Sequence, residues 1–495
     1  MRIWEGQIGM DSQSLKKKTL AGIIWKFMER FCAQGISLAV SIVLARLLGP
    51  DDYAPISIIT IFFAFANIFI SGGLNTALMQ KKDAEKEDYS TVFTFSLVVA
   101  VLLYAVFFLL APQIAGIYKQ PILIPVFRVM SLVLIINAAK SVLCAYISSH
   151  LLFKKFFFST LGGTLISAIV GIIMAANGFG VWSLVAQQLT NSTIDTLILF
   201  LTTGVRFSII VSIERLKEMF RFGFKMLVAS FISTLYEEIS PLVIGIKFTP
   251  SDLSYYEKGR SFPSLINSAF NDSISAVIFP AMAKVQDDKN MVLSFTRRFI
   301  QLSSFLIFPL MIGFLVVSDQ FTITVLSGKW MGASIYIKIF CLCYLFNIIQ
   351  NGNLQAIKAI GRSDIVLKLE IIKKSLYFGV LIMAILISKS PVVIAAAAVI
   401  NTVIATVVNT FPNRKLIGYS YRLQISDLLP NMIIALVMGV IVYTVGLYVY
   451  LSEPLKLLLQ VLIGFIVYVG MAVVTHNASF FYIVSLVKNF KRKHI

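Results

Sequence analysis

"LARLLGPDDYAPIS", residues 44–57, ends one long apolar run with Arg46, turns on Gly-Pro and two aspartates, and opens a second apolar run. A related stretch, "GIKFTPSDLSYY", returns at residues 245–256. Two long apolar runs joined by a tight polar turn read as an antiparallel pair of membrane helices. A span needs roughly 20 apolar residues, and runs of that length recur from end to end of the 495-residue chain.

Composition agrees. The chain is 58% hydrophobic and 14% charged, with mean hydropathy +0.86. Soluble domains are nearer 45–50% apolar and about 25% charged. A membrane β-barrel would alternate in segments of about 10 residues, and no such alternation is present. The expected class is an all-α polytopic membrane protein. Fourteen helices are predicted, near 20–48, 53–79, 89–110, 122–149, 157–176, 180–202, 223–246, 252–283, 296–317, 333–360, 364–387, 391–411, 428–450 and 455–475. The loops between them are short, so no soluble domain fits. "SIIVSIERLKEMFRF" (208–222) differs: Ile209, Ile213, Leu216 and Phe220 share a face that its charges avoid. It reads as an amphipathic helix on the membrane surface.

The net charge of +19 has a plain source. With the N-terminus inside, the inner loops and tail carry 25 Lys and Arg against 5 outside. That bias favours an even helix number with both termini cytoplasmic, and it leaves no need for nucleic acid as a partner. No cleavable signal peptide is expected, because the first helix carries Lys26, Glu29 and Arg30. Met10 offers a second start, in "MDSQSLKKKT". Cys32, Cys144, Cys341 and Cys343 all fall in apolar runs, and the three histidines are scattered. Neither a metal site nor a cofactor is expected.

The chain repeats itself with an offset of about 200–210 residues. "GPDDY" (49–53) matches "TPSDL" (249–253), "FRVMSLVLIINA" (127–138) matches "KIFCLCYLFNII" (338–349), and "NSTIDTLIL" (191–199) matches "NTVIATVVN" (401–409). Two pseudo-symmetric six-helix lobes follow, plus two C-terminal helices. The expected division is a cytoplasmic segment 1–19, an N-lobe 20–205, a linker helix 206–222, a C-lobe 223–412, helices thirteen and fourteen over 428–475, and a basic tail 476–495. An even number of helices per copy makes the copies parallel, the arrangement of transporters that rock one bundle on another.

A charge at mid-membrane costs about 3 kcal/mol or more against lipid, so polar residues should face water or one another. On helix one, Lys26, Arg30, Gln34, Ser37 and Ser41 share a stripe; on helix two, Thr60, Asn67, Ser71 and Asn75 do. Helix seven carries Ser230, Ser233, Glu237 and Ser240, with Lys225 near its start. Helix eight carries Glu257, Arg260, Ser264, Asn267, Asn271 and Ser275, with Lys258 beside them. A single Ser or Asn is read first as an interhelical hydrogen bond; four such faces on related helices point to one central hydrated cleft. Arginine suits phosphate, because its fork bonds two oxygens. Asn and Ser suit sugar hydroxyls. Candidate substrate-binding residues are therefore Lys26, Arg30, Arg46, Asn67, Asn75, Lys225, Glu237, Lys258, Arg260, Asn267 and Asn271. Arg46 fits a headgroup anchor as well as a contact at the outer exit. Pro241, Pro263, Pro280 and Pro309 fit bending points and fixed kinks equally. There is no GxxxxGK[ST] motif for a built-in ATPase and no acidic outer loop for glycosyl transfer. The chain is not expected to be an enzyme.

Several stretches resemble the polysaccharide (oligosaccharide) flippase family of the multidrug/oligosaccharidyl-lipid/polysaccharide exporter superfamily, nearest its Wzx-type exporters of lipopolysaccharide, capsule and colanic-acid-like polymers. They include "LARLLGPDDY" (44–53), "ALMQKKDAEKEDYSTVF" (77–93), "GFGVWSLVAQQ" (178–188), "FPAMAKVQDD" (279–288), "LQAIKAIGRSD" (354–364) and "LEIIKKSL" (369–376). The resemblance covers about residues 12–490. Where the family usually has glycine after the tyrosine of "DDY", this chain has Ala54 and Pro55. The resemblance implies a flippase of undecaprenyl-pyrophosphate-linked oligosaccharide units, working by alternating access in the bacterial cytoplasmic membrane. Membrane lipid, the lipid-linked oligosaccharide, and a polysaccharide polymerase with glycosyltransferases are the implied partners. Glu238 and Asp195 then become candidate ion-coupling acids. The alternative in the same superfamily is an ion-coupled small-molecule (multidrug) exporter.

Overall fold

The structure is a computed structural model that describes residues 12–71, 73–81, 84–150, 152–283 and 285–493; side chains are described from Trp25 onward, apart from 26–27, 71, 80, 221–222, 271–281, 283 and 486–493. Among the described residues there is no strand. The helices are α1 (Ser12–Leu47), α2 (Pro50–Ser71), α3 (Leu74–Gln80), α4 (Lys86–Ile117), α5 (Leu123–Met130), α6 (Leu132–Ser149), α7 (Phe153–Ala176), α8 (Val181–Thr203) and α9 (Ile213–Lys247). They continue with α10 (Pro250–Ala283), α11 (Lys289–Phe321), α12 (Ser334–Ala359), α13 (Ser363–Ile387), α14 (Pro391–Thr410), α15 (Asn413–Leu416), α16 (Tyr421–Tyr448), α17 (Glu453–Val474) and α18 (Ala478–Lys493). A π turn (Thr322–Leu326) and a 3-10 turn (Gly328–Ala333) join α11 to α12.

Among the described residues, eleven segments are helical, long and apolar enough to cross a membrane. The protein is a multi-pass all-helical membrane protein. Fourteen spans were expected. At the three other expected positions stand α8, α10 and α13, with 23, 34 and 25 residues. Their length suffices, but their hydropathy is diluted by residues such as Gln187, Asn191 and Asp195 on α8 or Lys368, Glu370, Lys373 and Lys374 on α13. Helices of this kind belong in a bundle, where polar side chains find partners.

The opening motif explains itself locally. Pro50 and Pro250 each take the first helical position, where the missing N–H is no loss. Asp52 Oδ2 accepts from the Gly49 N–H at 2.9 Å, and Asp252 Oδ2 accepts from the Thr249 N–H at 3.0 Å. In the second turn Thr249 Oγ1 also accepts from the Asp252 N–H at 3.2 Å, completing a reciprocal capping box. Glycine has no hydroxyl, so the first turn keeps half of that box. The two turns also meet, as the Ser251 hydroxyl donates to Asp51.

Three elements differ from expectation. The second helix, predicted as 53–79, ends at Ser71, and α3 restarts at Leu74. Gly73 there touches Gly223 of α9 so closely that a Cβ on Gly73 would lie 2.2 Å from the Gly223 oxygen. In the region expected to hold a surface linker helix, residues 204–212 are non-helical and Ile213 begins α9, which runs unbroken to Lys247. Ser90 and Thr91 hold the non-helical stretch, accepting from the N–H groups of Ser208 and Ser212 at 3.2 Å each. The basic tail beyond residue 476 contains the helix α18. Pro241 and Pro309 lie inside α9 and α11 without a break in either helix.

The chain forms two compact units, Met1–Ser254 and Tyr255–Ile495. The first has one apolar core around Leu78, Tyr89, Leu143, Tyr146 and Met219, and another around Val40, Leu44 and Leu184. The second has its main core around Phe308, Met311, Ile337, Cys341, Ala435, Met438 and Tyr468.

Candidate functional site

In the second unit the polar face of α10 is built as its spacing predicts in part. Arg260 Nη1 lies 3.9 Å from Glu257 Oε1, one helical turn away, and Asn267 is buried further along. Lys258 departs from this face. It is 7% exposed, with its ammonium 5.4 Å from the Trp330 ring centre and 5.9 Å from that of Phe262. Residues two apart on a helix point different ways. Lys258 therefore sits over aromatic faces as a cation–π pair, apart from Arg260. The Asn271 side chain lies outside the described residues.

In the first unit the predicted residues spread over three environments. Arg30 and Arg46 on α1, and Lys225 and Glu237 on α9, are exposed. Asn67 on α2 and Glu238 on α9 are half-buried. Asn75 is 8% exposed and belongs to α3, so it does not continue the α2 stripe. Thr60 donates to the Ile56 carbonyl of its own helix at 2.8 Å. The Lys26 side chain lies outside the described residues.

Asp195 on α8 is held by Lys140 on α6, at 2.6 Å. Tight helix contact encloses Asp195: a Cβ on Gly163 of α7 would stand 2.9 Å from Asn191 Oδ1 and 3.0 Å from the Asp195 Cβ. Small residues at such crossings let membrane helices approach. Thr160 of α7 donates to Glu29 of α1 at 3.4 Å.

Three further ionic groups were not singled out as sites in the sequence. In the first unit, Arg215 at the start of α9 reaches Glu85 (2.7 Å), Glu87 (3.0 Å) and Asp88 (3.1 Å), while Lys81 reaches Asp88 (3.1 Å) and Glu218 (3.2 Å). The hydrogen bonds to Glu85 and Asp88 push the Arg215 guanidinium above its ordinary range. Partial burial pulls Lys81 down, but its bonds to Asp88 and Glu218 outweigh that and hold it above the usual lysine value. In the second unit, Arg297 of α11 grips Asp427 of α16 with Nε at 2.8 Å and Nη2 at 2.7 Å. Lys338 of α12 reaches Asp319 of α11 at 2.8 Å. Asp427 is the only acid between residues 371 and 452, a signal in itself that it would need a basic partner. Among the described residues no three His, Cys, Asp or Glu side chains gather as a metal site.

The sequence pattern of the family described as "Polysaccharide biosynthesis protein" matches residues 43–335, more than half the chain. The chain belongs to that family. Among curated proteins it is 22% identical over 446 residues to the lipopolysaccharide biosynthesis protein WzxC of Escherichia coli (strain K12), covering 86% of this chain and 89% of the relative. It is 21% identical over 477 residues to the teichuronic acid biosynthesis protein TuaB of Bacillus subtilis (strain 168), covering 93% and 96%. Its fold is similar to that of the lipid II flippase MurJ in an inward closed conformation, with TM-score 0.74, 16% identity, and coverage of 92% of this chain and 99% of that one. It is also similar to an inward-facing multidrug resistance MATE transporter, with TM-score 0.60, 14% identity and coverage of 84% and 97%. This family member therefore has the MurJ- and MATE-like helical fold.

Proposed function

We propose that this protein is a flippase that carries undecaprenyl-pyrophosphate-linked oligosaccharide units across the bacterial cytoplasmic membrane, for export of lipopolysaccharide, capsule or exopolysaccharide. Membership of the polysaccharide biosynthesis family supports the class. The observation that carries the substrate reading is the α10 face, where Arg260, steadied by Glu257, heads a row that ends in the buried Asn267. A guanidinium fork bonds two phosphate oxygens, and serine and amide groups suit sugar hydroxyls. Arg30 on α1 supplies a second guanidinium, this one exposed. In this reading the pyrophosphate and sugars pass along hydrated polar helix faces, while the polyprenyl chain stays in lipid. Both termini face the cytoplasm, with the basic loops. The protein transports rather than catalyses, and it works beside glycosyltransferases and a polymerase.

The test is export in cells whose own flippase gene is deleted. Arg260→Ala and Arg30→Ala are each expected to lower surface polymer more than tenfold, with protein levels in the membrane unchanged. Wild-type polymer in both variants would remove the arginines from the substrate path. Sodium- or proton-driven efflux of a cationic dye, unchanged by either substitution, would favour the small-molecule exporter.

A further inference from the structure

One face of α11 lines a polar cavity of about 430 Å³ with Asn290, Leu293, Ser294, Arg297, Arg298 and Gln301. These positions step by three and four, so they share a side of the helix. Both guanidinium groups are oriented before any ligand arrives. Arg297 is held in a fork by Asp427, which also accepts from Gln301 Nε2 at 2.8 Å and from the Tyr419 hydroxyl at 2.9 Å. Two of its five N–H donors serve Asp427, and its side chain remains 39% exposed. Arg298 lies with its guanidinium carbon 4.0 Å from the ring centre of Tyr482 on α18. Two arginines against one carboxylate leave one positive charge at the cavity.

A second cavity, of about 470 Å³, shares Gln301 with the first as a lining residue and is lined by residues of α16, α17 and the start of α18, Asp427 among them. Its further walls include Leu429, Ile433, Ile434 and Met471. A cationic polar chamber beside a mostly apolar one, with Gln301 on the wall of both, matches an amphiphile with an anionic head. We propose that the two cavities together hold one anionic glycerophospholipid, with its phosphate between Arg297 and Arg298 and an acyl chain along α16 and α17. A phosphodiester carries a single negative charge and balances the surplus, whereas a pyrophosphate diester carries two. Under the orientation proposed above, this end of the unit lies at the inner leaflet, where anionic lipid is drawn to juxtamembrane basic residues. The bound lipid would tie α16, α17 and α18 to α11.

The experiment uses the purified full-length protein in mild detergent. Retained lipid is read by native mass spectrometry and thermal stability by the unfolding midpoint. The additions are phosphatidylglycerol, phosphatidylethanolamine, glycerol 3-phosphate and undecaprenyl pyrophosphate. Phosphatidylglycerol should be retained at one per protein, at least tenfold more tightly than phosphatidylethanolamine, and should raise the midpoint. Arg298→Gln should weaken it about tenfold, and Ala478→Trp, which fills the apolar chamber, should abolish retention. If Arg298→Gln does not fold, Arg298→Lys keeps the charge without the fork and should weaken retention by a smaller factor. Three results would overturn the proposal. The first is equal retention of the two phospholipids. The second is full stabilisation by glycerol 3-phosphate alone, which marks a headgroup site. The third is displacement of phosphatidylglycerol by undecaprenyl pyrophosphate in a manner lost in Arg298→Gln, which marks a substrate site.

Discussion

Arg215 in the first unit and Arg297 in the second both lie near the start of a long helix. Both grip a carboxylate about 130 residues away in sequence: Asp88 for Arg215, Asp427 for Arg297. Their surroundings differ. Arg215 shares Asp88 with Lys81 and reaches two further acids that are 66% and 62% exposed. Its cluster sets four acids against two bases, and three of the acids are well exposed to water. Arg297 has one acid, and that acid also takes hydrogen bonds from Gln301 and Tyr419. The first arrangement spreads charge over many weak, screened pairs. The second concentrates it on one buried group, whose loss would leave several donors without an acceptor.

Both carboxylates are buried, so if stranded donors decide the energy, substitutions at the two sites will rank by how many donors lose their sole acid and not by the number of ion pairs. Asp427→Ala should be the most damaging, at about 2–4 kcal/mol, because it removes the acceptor of Arg297, Gln301 and Tyr419 together. Denaturation in mixed micelles measures it. Asp88→Asn should cost about 1–3 kcal/mol; its side chain is buried, but its partners remain near water and near other acids. A larger loss for Asp88→Asn than for Asp427→Ala would show that pair number outweighs the stranding of donors. Tyr419→Phe sharpens the second site, since it deletes one hydrogen bond and leaves the ion pair, for about 1 kcal/mol. Burial and the neighbouring Asp427 push that hydroxyl well above the usual tyrosine range, so it stays a donor at every pH in which the protein is handled.

The smallest effect belongs to Lys81→Met, below about 1 kcal/mol as for other exposed pairs. Its pH dependence has a definite sign. Lys81 is held above its ordinary value in the folded protein. Its contribution is therefore full below the unfolded lysine pKa of about 10.4 and fades as pH rises through the folded value. Wild type and Lys81→Met should differ by a constant amount from neutral pH to about 10 and converge above it. Convergence on the acidic side, as pH falls through the lowered value of Asp88, is also expected. A difference that grows with alkalinity would contradict the assignment.

Much of the architecture was legible as a string. The apolar runs, the Gly-Pro-Asp-Asp and Thr-Pro-Ser-Asp turns, and the charge bias of the loops all depend on neighbours within a few residues. The turns fold as written because Pro50, Asp52, Pro250 and Asp252 satisfy local backbone needs. The faces of α1, α9 and α10 were legible in the same way, since helical periodicity places residues on a side. What that side meets was not. Lys258 and Arg260 look equivalent in "EKGR", yet Lys258 is buried against Trp330, 72 residues on, and Arg260 stands beside Glu257. Asn75 continues a perfect stripe on paper, but the chain breaks before it, because α3 must pass α9 at Gly73 and Gly223.

The sequence by itself determined a polytopic helical membrane protein, the places of its turns and the side of each helix that carries charge. Those properties follow from solvation of a segment in lipid or water and from hydrogen bonds a few residues long. Only the tertiary structure decided which charges are neutralised: Lys140 with Asp195, Arg215 with Asp88, Lys338 with Asp319, and Arg297 with Asp427. Coulomb energy depends on distance through space, and at these sites separate helices, consecutive ones such as α11 and α12 or distant ones such as α11 and α16, bring opposite charges within hydrogen-bonding reach.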